Sequence, residues 1–301
     1  MKALIVGMGV QGEKRKKILG KEFVCSVDKY KKSDFDSIYK VPLNIYDTVF
    51  ICVPDSEKLK IAEYCIKNKK HCLIEKPFLV KNTKVLSKLN KLSKKNKVIS
   101  YIAYNHRFEP ALINVKKIIK NKKIGKIYKC RMFYGNGTSY LVKRSKWRDK
   151  NKGVLTDIGS HLLDLCIFWF GKKIKKLKVV EICKFENKSP DYANIVFEIN
   201  RIKINLEMTL CMWKNSFNCD VIGSKGSVHV SSLCKWSDST FVYRKRRLPS
   251  GYPKENFITF KKGDPTWKAE HLFFKKLIKS KKNINFNGEI ILNKCFSKMK
   301  T

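Results

Sequence analysis

Asp157 and His161 stand four residues apart in "GVLTDIGSHLLDL" (Gly153–Leu165), at the mouth of a run of large apolar residues. At that spacing two side chains share one face of a helix. An imidazole titrating near about 6.5 suits proton abstraction at neutral pH, and a neighbouring carboxylate can orient the ring or a substrate hydroxyl. A second array lies near the N-terminus, where Gly7, Gly9 and Gly12 form G-x-G-x-x-G directly after an apolar run. The first glycine permits a tight turn, the second lets a pyrophosphate reach the backbone, and the third allows a helix to pack closely on the strand. The helix N-terminus then offers amide donors to phosphate. Gly7, Gly9, Val10, Gln11 and Gly12 are therefore expected to bind a dinucleotide. Asp28, 21 residues after Gly7, is placed for the ribose 2′-hydroxyl. A carboxylate there favours NAD, with NADP the alternative because Lys29, Lys31 and Lys32 follow at once. Asp157 and His161 lack a third ligand at suitable spacing, so no metal is expected.

The elements that must position these groups change in rhythm along the chain. Over the first hundred residues, apolar runs such as "ALIVGM", "FVCSVD", "DTVFICVP", "HCLIEKPF" and "VISYIAY" alternate with helical patterns such as "SEKLKIAEYCIKNKK". That alternation predicts a parallel, doubly wound α/β sheet over residues 1–122. Beyond it, "YANIVFEIN" and "RIKINLEMTL" alternate apolar and polar residues with period two. The pattern of half-buried antiparallel strands predicts an α+β domain with an open, mainly antiparallel sheet over residues 123–301. "CDVIGSKGSVHV" reads as a hairpin turning at Ser224-Lys225-Gly226.

Composition narrows the function classes. The formal net charge is +41, but of 66 basic residues nine are Arg and 57 are Lys, spread over every segment. A nucleic-acid reader concentrates charge on one element and favours Arg; dispersed Lys indicates solvated faces, so no specific nucleic-acid partner is expected. Eleven cysteines include no C-x-x-C pair, and several sit in apolar runs, as buried thiols of a reducing compartment would. No apolar run reaches the roughly eighteen residues of a membrane span. A cytoplasmic protein without membrane contact is expected.

Glu75-Lys76-Pro77 ends a predicted parallel strand, where open α/β sheets place ligands. With the glycine turn, "YNHRFEP" (Tyr104–Pro110), the stretch from Trp147 to Asp164 and the G-S-K-G-S turn near residue 225, it resembles the Gfo/Idh/MocA family of nicotinamide-dependent oxidoreductases, in motif order across nearly the whole chain. The resemblance implies a Rossmann domain followed by an antiparallel-sheet domain, with the nicotinamide in the cleft between them and the large sheet serving as a homo-oligomer interface. It also implies that Lys76, Asp157 and His161 are catalytic and that Glu75 and Lys76 meet the cofactor. Chemistry agrees: a lysine starting near about 10.4, lowered by desolvation, can stabilise an alkoxide. Asn105, Arg107, Lys143, Arg144, Trp147 and Arg148 are the expected substrate contacts, the basic ones suiting a diphosphate or carboxylate. The expected activity is oxidation of a secondary hydroxyl of a sugar or sugar derivative, such as a nucleotide sugar in surface-polysaccharide biosynthesis. The alternatives are an enzyme acting on a free polyol or other carbonyl compound, and a nicotinamide-binding regulator without turnover.

Overall fold

The computed structural model describes residues 1–145, 148–281 and 286–299. The chain forms two compact units, Met1–Tyr104 with Trp267–Lys294, and Asn105–Thr266 with Cys295–Thr301. The first begins with β1 (Ala3–Val6), α1 (Val10–Leu19), β2 (Phe23–Val27), β3 (Thr48–Ile51), α2 (Asp55–Lys67), β4 (His71–Glu75), α3 (Lys84–Lys95) and β5 (Ser100–Ala103). The strands form one parallel sheet in the order β2-β1-β3-β4-β5. β1 and β3 are buried along their whole length, which is why they read as continuous apolar runs. Strand and helix alternate as expected except between β2 and β3, where a single 3-10 turn at Ile38–Lys40 makes the connection. The order reverses beside β1, so the loop after β1 opens at the switch point where such sheets bind ligands.

The second unit runs through α4 (Pro110–Lys120), β6 (Ile127–Gly137), α5 (Ser139–Lys143), α6 (Val154–Asp157), α7 (Gly159–Phe170), β7 (Ile174–Cys183), β8 (Tyr192–Ile199), β9 (Ile202–Thr209), β10 (Cys211–Gly223), β11 (Gly226–Ser231), β12 (Ser239–Lys245) and β13 (Lys254–Phe260). Its eight-stranded sheet has the order β13-β12-β11-β10-β6-β9-β8-β7. Among the described pairings only β6 with β9 is parallel. The period-two pattern is realised: Ala193, Ile195, Phe197, Ile199, Ile202, Ile204, Leu206 and Met208 are all buried. α7 is buried almost throughout and approaches β9 closely, since a Cβ on Gly159 would come 2.9 Å from Met208 Sδ. Burying a Leu such as Leu162 contributes about 1.5–3 kcal/mol, and α7 carries several. Among the described residues no helix is long and apolar enough to cross a membrane.

The chain then returns to the first unit with α8 (Thr266–Lys279) and with α9 (Asn287–Lys298) as far as Lys294. The boundary expected at residue 122, with everything beyond it in one domain, differs from this arrangement. α8 places Phe274 and Leu277 in the core formed by Ala3, Ile5, Phe50, Leu73 and Tyr101. Sequence distance gives no sign of that burial.

α8 also completes a buried ionic cluster. Arg15 on α1 donates from Nε to Glu75 Oε1 at 2.8 Å and from Nη2 to Glu270 Oε2 at 2.7 Å. Its guanidinium lies 4.4 Å from the centre of the Trp267 ring, and Tyr101 donates its hydroxyl to Glu270 Oε1. Burial by itself would lower the Arg15 pKa, but Glu75 and Glu270 reverse that and raise it. Burial pushes the Glu270 carboxyl up to about 7, with Arg15 opposing and Glu75 adding to the rise.

Removing the guanidinium would leave two buried carboxylates without a cation. Arg15→Met is expected to destabilise the first unit by about 3–5 kcal/mol, measured by urea denaturation. The Glu270 carboxyl holds a proton in the folded state that the unfolded chain releases above about 4.5. Its stabilising contribution is therefore complete below that value and is lost as pH rises through about 7. Glu270→Gln should accordingly gain stability relative to wild type as pH rises across this window. A pH-independent difference between the two proteins would contradict the buried-acid assignment.

Candidate functional site

In the first unit the glycine turn has the geometry its spacing requires. Gly7 adopts φ +95°, and a Cβ there would meet the Cys52 carbonyl oxygen at 2.6 Å. A Cβ on Gly12 would lie 2.0 Å from the Gly7 carbonyl oxygen, so only glycine lets α1 pack on the end of β1. Nothing lies within 4 Å of a Cβ placed on Gly9, which leaves the backbone open where a phosphate would approach. Gly9 caps α1, and Val10 and Gln11 open it with exposed side chains.

Asp28 follows β2 and braces this turn. Its Oδ2 accepts from the Met8 amide at 2.7 Å, and its Oδ1 accepts from the amides of Tyr30 and Lys31 at 2.8 and 3.0 Å. Burial would raise this carboxyl, but those amides outweigh it and hold it below the usual carboxylate range. A carboxylate offers about four acceptor sites, so an ionised Asp28 retains capacity for a ribose hydroxyl. Lys29, Lys31 and Lys32 line the adjoining open groove.

At the end of β4, Glu75 turns to Arg15, and Lys76 is half-buried ahead of a cis Lys76–Pro77 peptide. Two residues not singled out in the sequence hold this segment. Buried Lys58 donates to the Pro77 carbonyl at 2.8 Å and to Asp55 Oδ1 at 2.6 Å. Asn293 donates to the Phe78 carbonyl and accepts from the Val80 amide. Arg15 did carry a signal, as the sole arginine before residue 107 in a lysine-rich chain.

The second unit holds the other candidates. Asp157 ends α6 and buried His161 lies in the first turn of α7. The helix is interrupted at Ile158 for a local reason: Ser160 Oγ donates to the Asp157 carbonyl at 3.1 Å, and the His161 amide turns to Ile158 O instead. Side-chain competition of this kind tightens the ladder to a 3-10 step. Arg148 Nη2 donates to Asp157 Oδ2 at 2.9 Å, and Asp149 anchors the same segment by accepting from the Ser189 amide and hydroxyl, both at 2.8 Å. Arg107 is engaged with Asp164 on α7 through Nε and Nη2. Burial raises the Asp164 carboxyl, with Arg107 opposing. Asn105 Nδ2 donates to Thr266 Oγ1. Lys143 and Arg144 end α5 with exposed side chains. Trp147 lies outside the described residues.

Three groups that sequence reasoning did not select form a contact chain leading away from His161. The His106 ring centre lies 3.9 Å from that of His161 and 5.7 Å from that of Tyr134. Tyr134 Oη accepts from Lys235 Nζ at 2.6 Å. His106 falls within "YNHRFEP", which offered a hint. Tyr134 and Lys235 sit in unremarkable stretches and are recruited only by folding.

A different cluster imitates nucleophilic chemistry without its essentials. Ser227 Oγ bonds His229 Nε2 at 2.8 Å, and His229 Nδ1 bonds Asp220 Oδ1 at 2.7 Å. These groups lie on paired central strands whose amides are engaged in the ladder, so no backbone donors remain for an oxyanion. The array is a cross-strand polar ladder.

Comparison with known proteins agrees with both halves of this description. The family model for the oxidoreductase family with an NAD-binding Rossmann fold matches residues 2–104, and that for the GFO/IDH/MocA C-terminal domain matches residues 112–229. The glucose-6-phosphate 3-dehydrogenase of Bacillus subtilis is 24% identical over 187 residues, covering 54% of this chain and 53% of that protein. The chain spans about half the length of the first curated relatives it matches. Among solved structures, a levoglucosan dehydrogenase in complex with NADH superposes with a TM-score of 0.81 at 16% identity, covering 96% of this chain and 93% of that one. The UDP-N-acetylglucosamine 3-dehydrogenase of Acidithiobacillus ferrooxidans gives 0.80 at 18% identity, covering 98% and 95%. Those two likenesses establish the fold, and the two matched models establish the lineage: the chain belongs to the GFO/IDH/MocA oxidoreductase family.

Proposed function

We propose that the chain is an NAD(P)-dependent dehydrogenase that oxidises a secondary hydroxyl of a sugar or sugar derivative. The observation that carries this reading is the glycine turn, with Gly12 built against the Gly7 carbonyl and open backbone over Gly9, in a chain of this family. The residues present fit a dinucleotide: amides at the head of α1 for the pyrophosphate and an ionised Asp28 for the adenosine ribose. Asp28 favours NAD, and Lys29, Lys31 and Lys32 supply the charge that a 2′-phosphate would need. The head of α1 and Asp28 would hold the dinucleotide, whose nicotinamide would supply the acceptor for the hydride lost from the carbinol carbon. His161 takes the hydroxyl proton, Asp157 orients the hydroxyl while Arg148 holds the carboxylate in place, and Lys76 stabilises the developing alkoxide.

The matched relatives named above are dehydrogenases of a sugar, a sugar phosphate or a nucleotide sugar. An anionic substituent is favoured here because Lys143 and Arg144 are exposed on the segment leading to Asp157, with Asn105 as a further polar contact. A nucleotide sugar of surface-polysaccharide biosynthesis is the substrate this charge suits best. For self-association, the outer face of the large sheet presents Phe257 and Ile222 among its polar ladder, which supports a homo-oligomer.

The test is cofactor reduction by the purified chain with levoglucosan, scyllo-inositol, glucose 6-phosphate and UDP-N-acetylglucosamine, using NAD and NADP separately. At least one alcohol should be oxidised. His161→Asn and Lys76→Ala should each lower kcat/KM by about 10²-fold or more, with NADH affinity retained in His161→Asn. Tight NADH binding with no turnover of any alcohol would instead indicate a nicotinamide-binding regulator.

A further inference from the structure

We infer that Lys235 and the Tyr134 hydroxyl it holds form a second polar grip in the site, binding an oxygen of the substrate next to the carbon oxidised at His161. The inference rests on the dehydrogenase reading for the identity of that substrate, but its geometry lies wholly within the second unit.

Lys235 sits in the turn between β11 and β12, a position fixed from two sides. The Trp236 amide closes the turn on the Leu233 carbonyl at 3.0 Å, and the Cys234 amide donates to buried Glu109 at 3.0 Å. From there the side chain runs over aromatic surface, its Nζ 4.5 Å from the centre of the Trp236 ring and 2.6 Å from Tyr134 Oη. Tyr134 is itself packed edge-on by Trp236 and Phe217, at 5.2 and 6.0 Å. Phenol and amine are thus held with few rotamers to lose on binding a ligand. The array continues without a break through His106 to His161.

The electrostatics are unusual for a structural lysine. The charged groups facing it are Asp157 on α6, Asp264 ahead of α8, and Glu109 ahead of α4. Among the described residues none of the three is within ion-pair distance of its Nζ. Burial pushes the Lys235 amine down to about 8, and these carboxylates only partly oppose it. Lys235 is partly buried and donates to a phenol, and a phenol accepting from an ammonium becomes a stronger donor in turn. Two such donors beside a general base suit a polyhydroxylated ring, where a second oxygen adjoins the reacting carbon. They offer nothing to an isolated alcohol.

The experiment uses the full chain, wild type and the variants Lys235→Met and Lys235→Arg; methionine keeps an unbranched apolar stem against Trp236. Binding of levoglucosan, scyllo-inositol, glucose 6-phosphate and UDP-N-acetylglucosamine is measured by ligand-observed NMR with saturating NADH, alongside turnover from pH 6 to about 9.5, which brackets the amine's ordinary and depressed values. Lys235→Met is expected to weaken sugar binding and raise KM by about tenfold or more, with kcat changed by less than about threefold. NADH affinity should stay within about twofold, and Lys235→Arg should restore part of the binding. The wild-type kcat/KM should fall on the alkaline side as the amine loses its proton, and that limb should vanish in Lys235→Met. Unchanged sugar binding and an unchanged alkaline limb in Lys235→Met would overturn the inference, and so would a wild type that binds none of the sugars. Sugar binding that depends on Lys235 without any turnover would uphold the grip and sink the dehydrogenase reading. Turnover indifferent to Lys235 would do the reverse.

Discussion

The Arg15 guanidinium lies between two buried carboxylates, Glu75 at the end of β4 and Glu270 on α8, and three segments distant in sequence converge on it. α1 carries the arginine just after the glycine turn, so the charge cluster sets how the turn meets the strand that ends at Glu75, next to Lys76. Two carboxylates in a low-dielectric interior repel each other, and each would be costly to bury alone. One planar cation able to bond both at once makes the arrangement tenable. The consequence for chemistry is indirect but firm. The glycine turn and the strand end next to Lys76 share a rigid support, which Lys58 and Asn293 extend past Pro77.

Charge in this chain divides into two populations. Lysines dominate the count and are mostly solvated, which gives the large positive total without a dedicated anion-binding face. Arginines are few, and five of the nine are matched to carboxylates among the described residues: Arg15, Arg107, Arg131, Arg148 and Arg244. A guanidinium is retained where a forked, directional contact is needed and an ammonium suffices elsewhere. Rarity thus made Arg15 conspicuous. It also changes the meaning of Arg107 and Arg148, whose fixed partners are Asp164 and Asp157.

The second unit illustrates how a short polar interruption serves an apolar helix. α7 is anchored by burial, while Asp157 and His161 sit where the helical ladder tightens around Ile158. Large apolar side chains fix the axis of α7, and the Ser160 hydroxyl fixes the local twist at its start. The rings of His106 and Tyr134 and the Lys235 amine then run on from His161 as one contact chain drawn from separate elements.

Short-range pattern was enough for much of this protein. Period-two alternation gave β8 and β9, apolar runs gave the parallel strands, and the glycine spacing gave the turn after β1, because each depends on neighbours within one element. Asp157 and His161 were legible for the same reason, being one turn apart at the edge of an apolar segment. What no local pattern held was the return of α8 to the first sheet, the engagement of Glu75 by Arg15, and the recruitment of Tyr134 and Lys235 next to His106. Those follow from burial, ion pairing and hydrogen bonding between residues 60 or more positions apart, such as Arg15 and Glu75 or Tyr134 and Lys235. Such contacts exist only once the chain has closed around them, so the sequence by itself determined the elements and the spacing of Asp157 and His161, and the tertiary structure decided which buried charges and rings pack together.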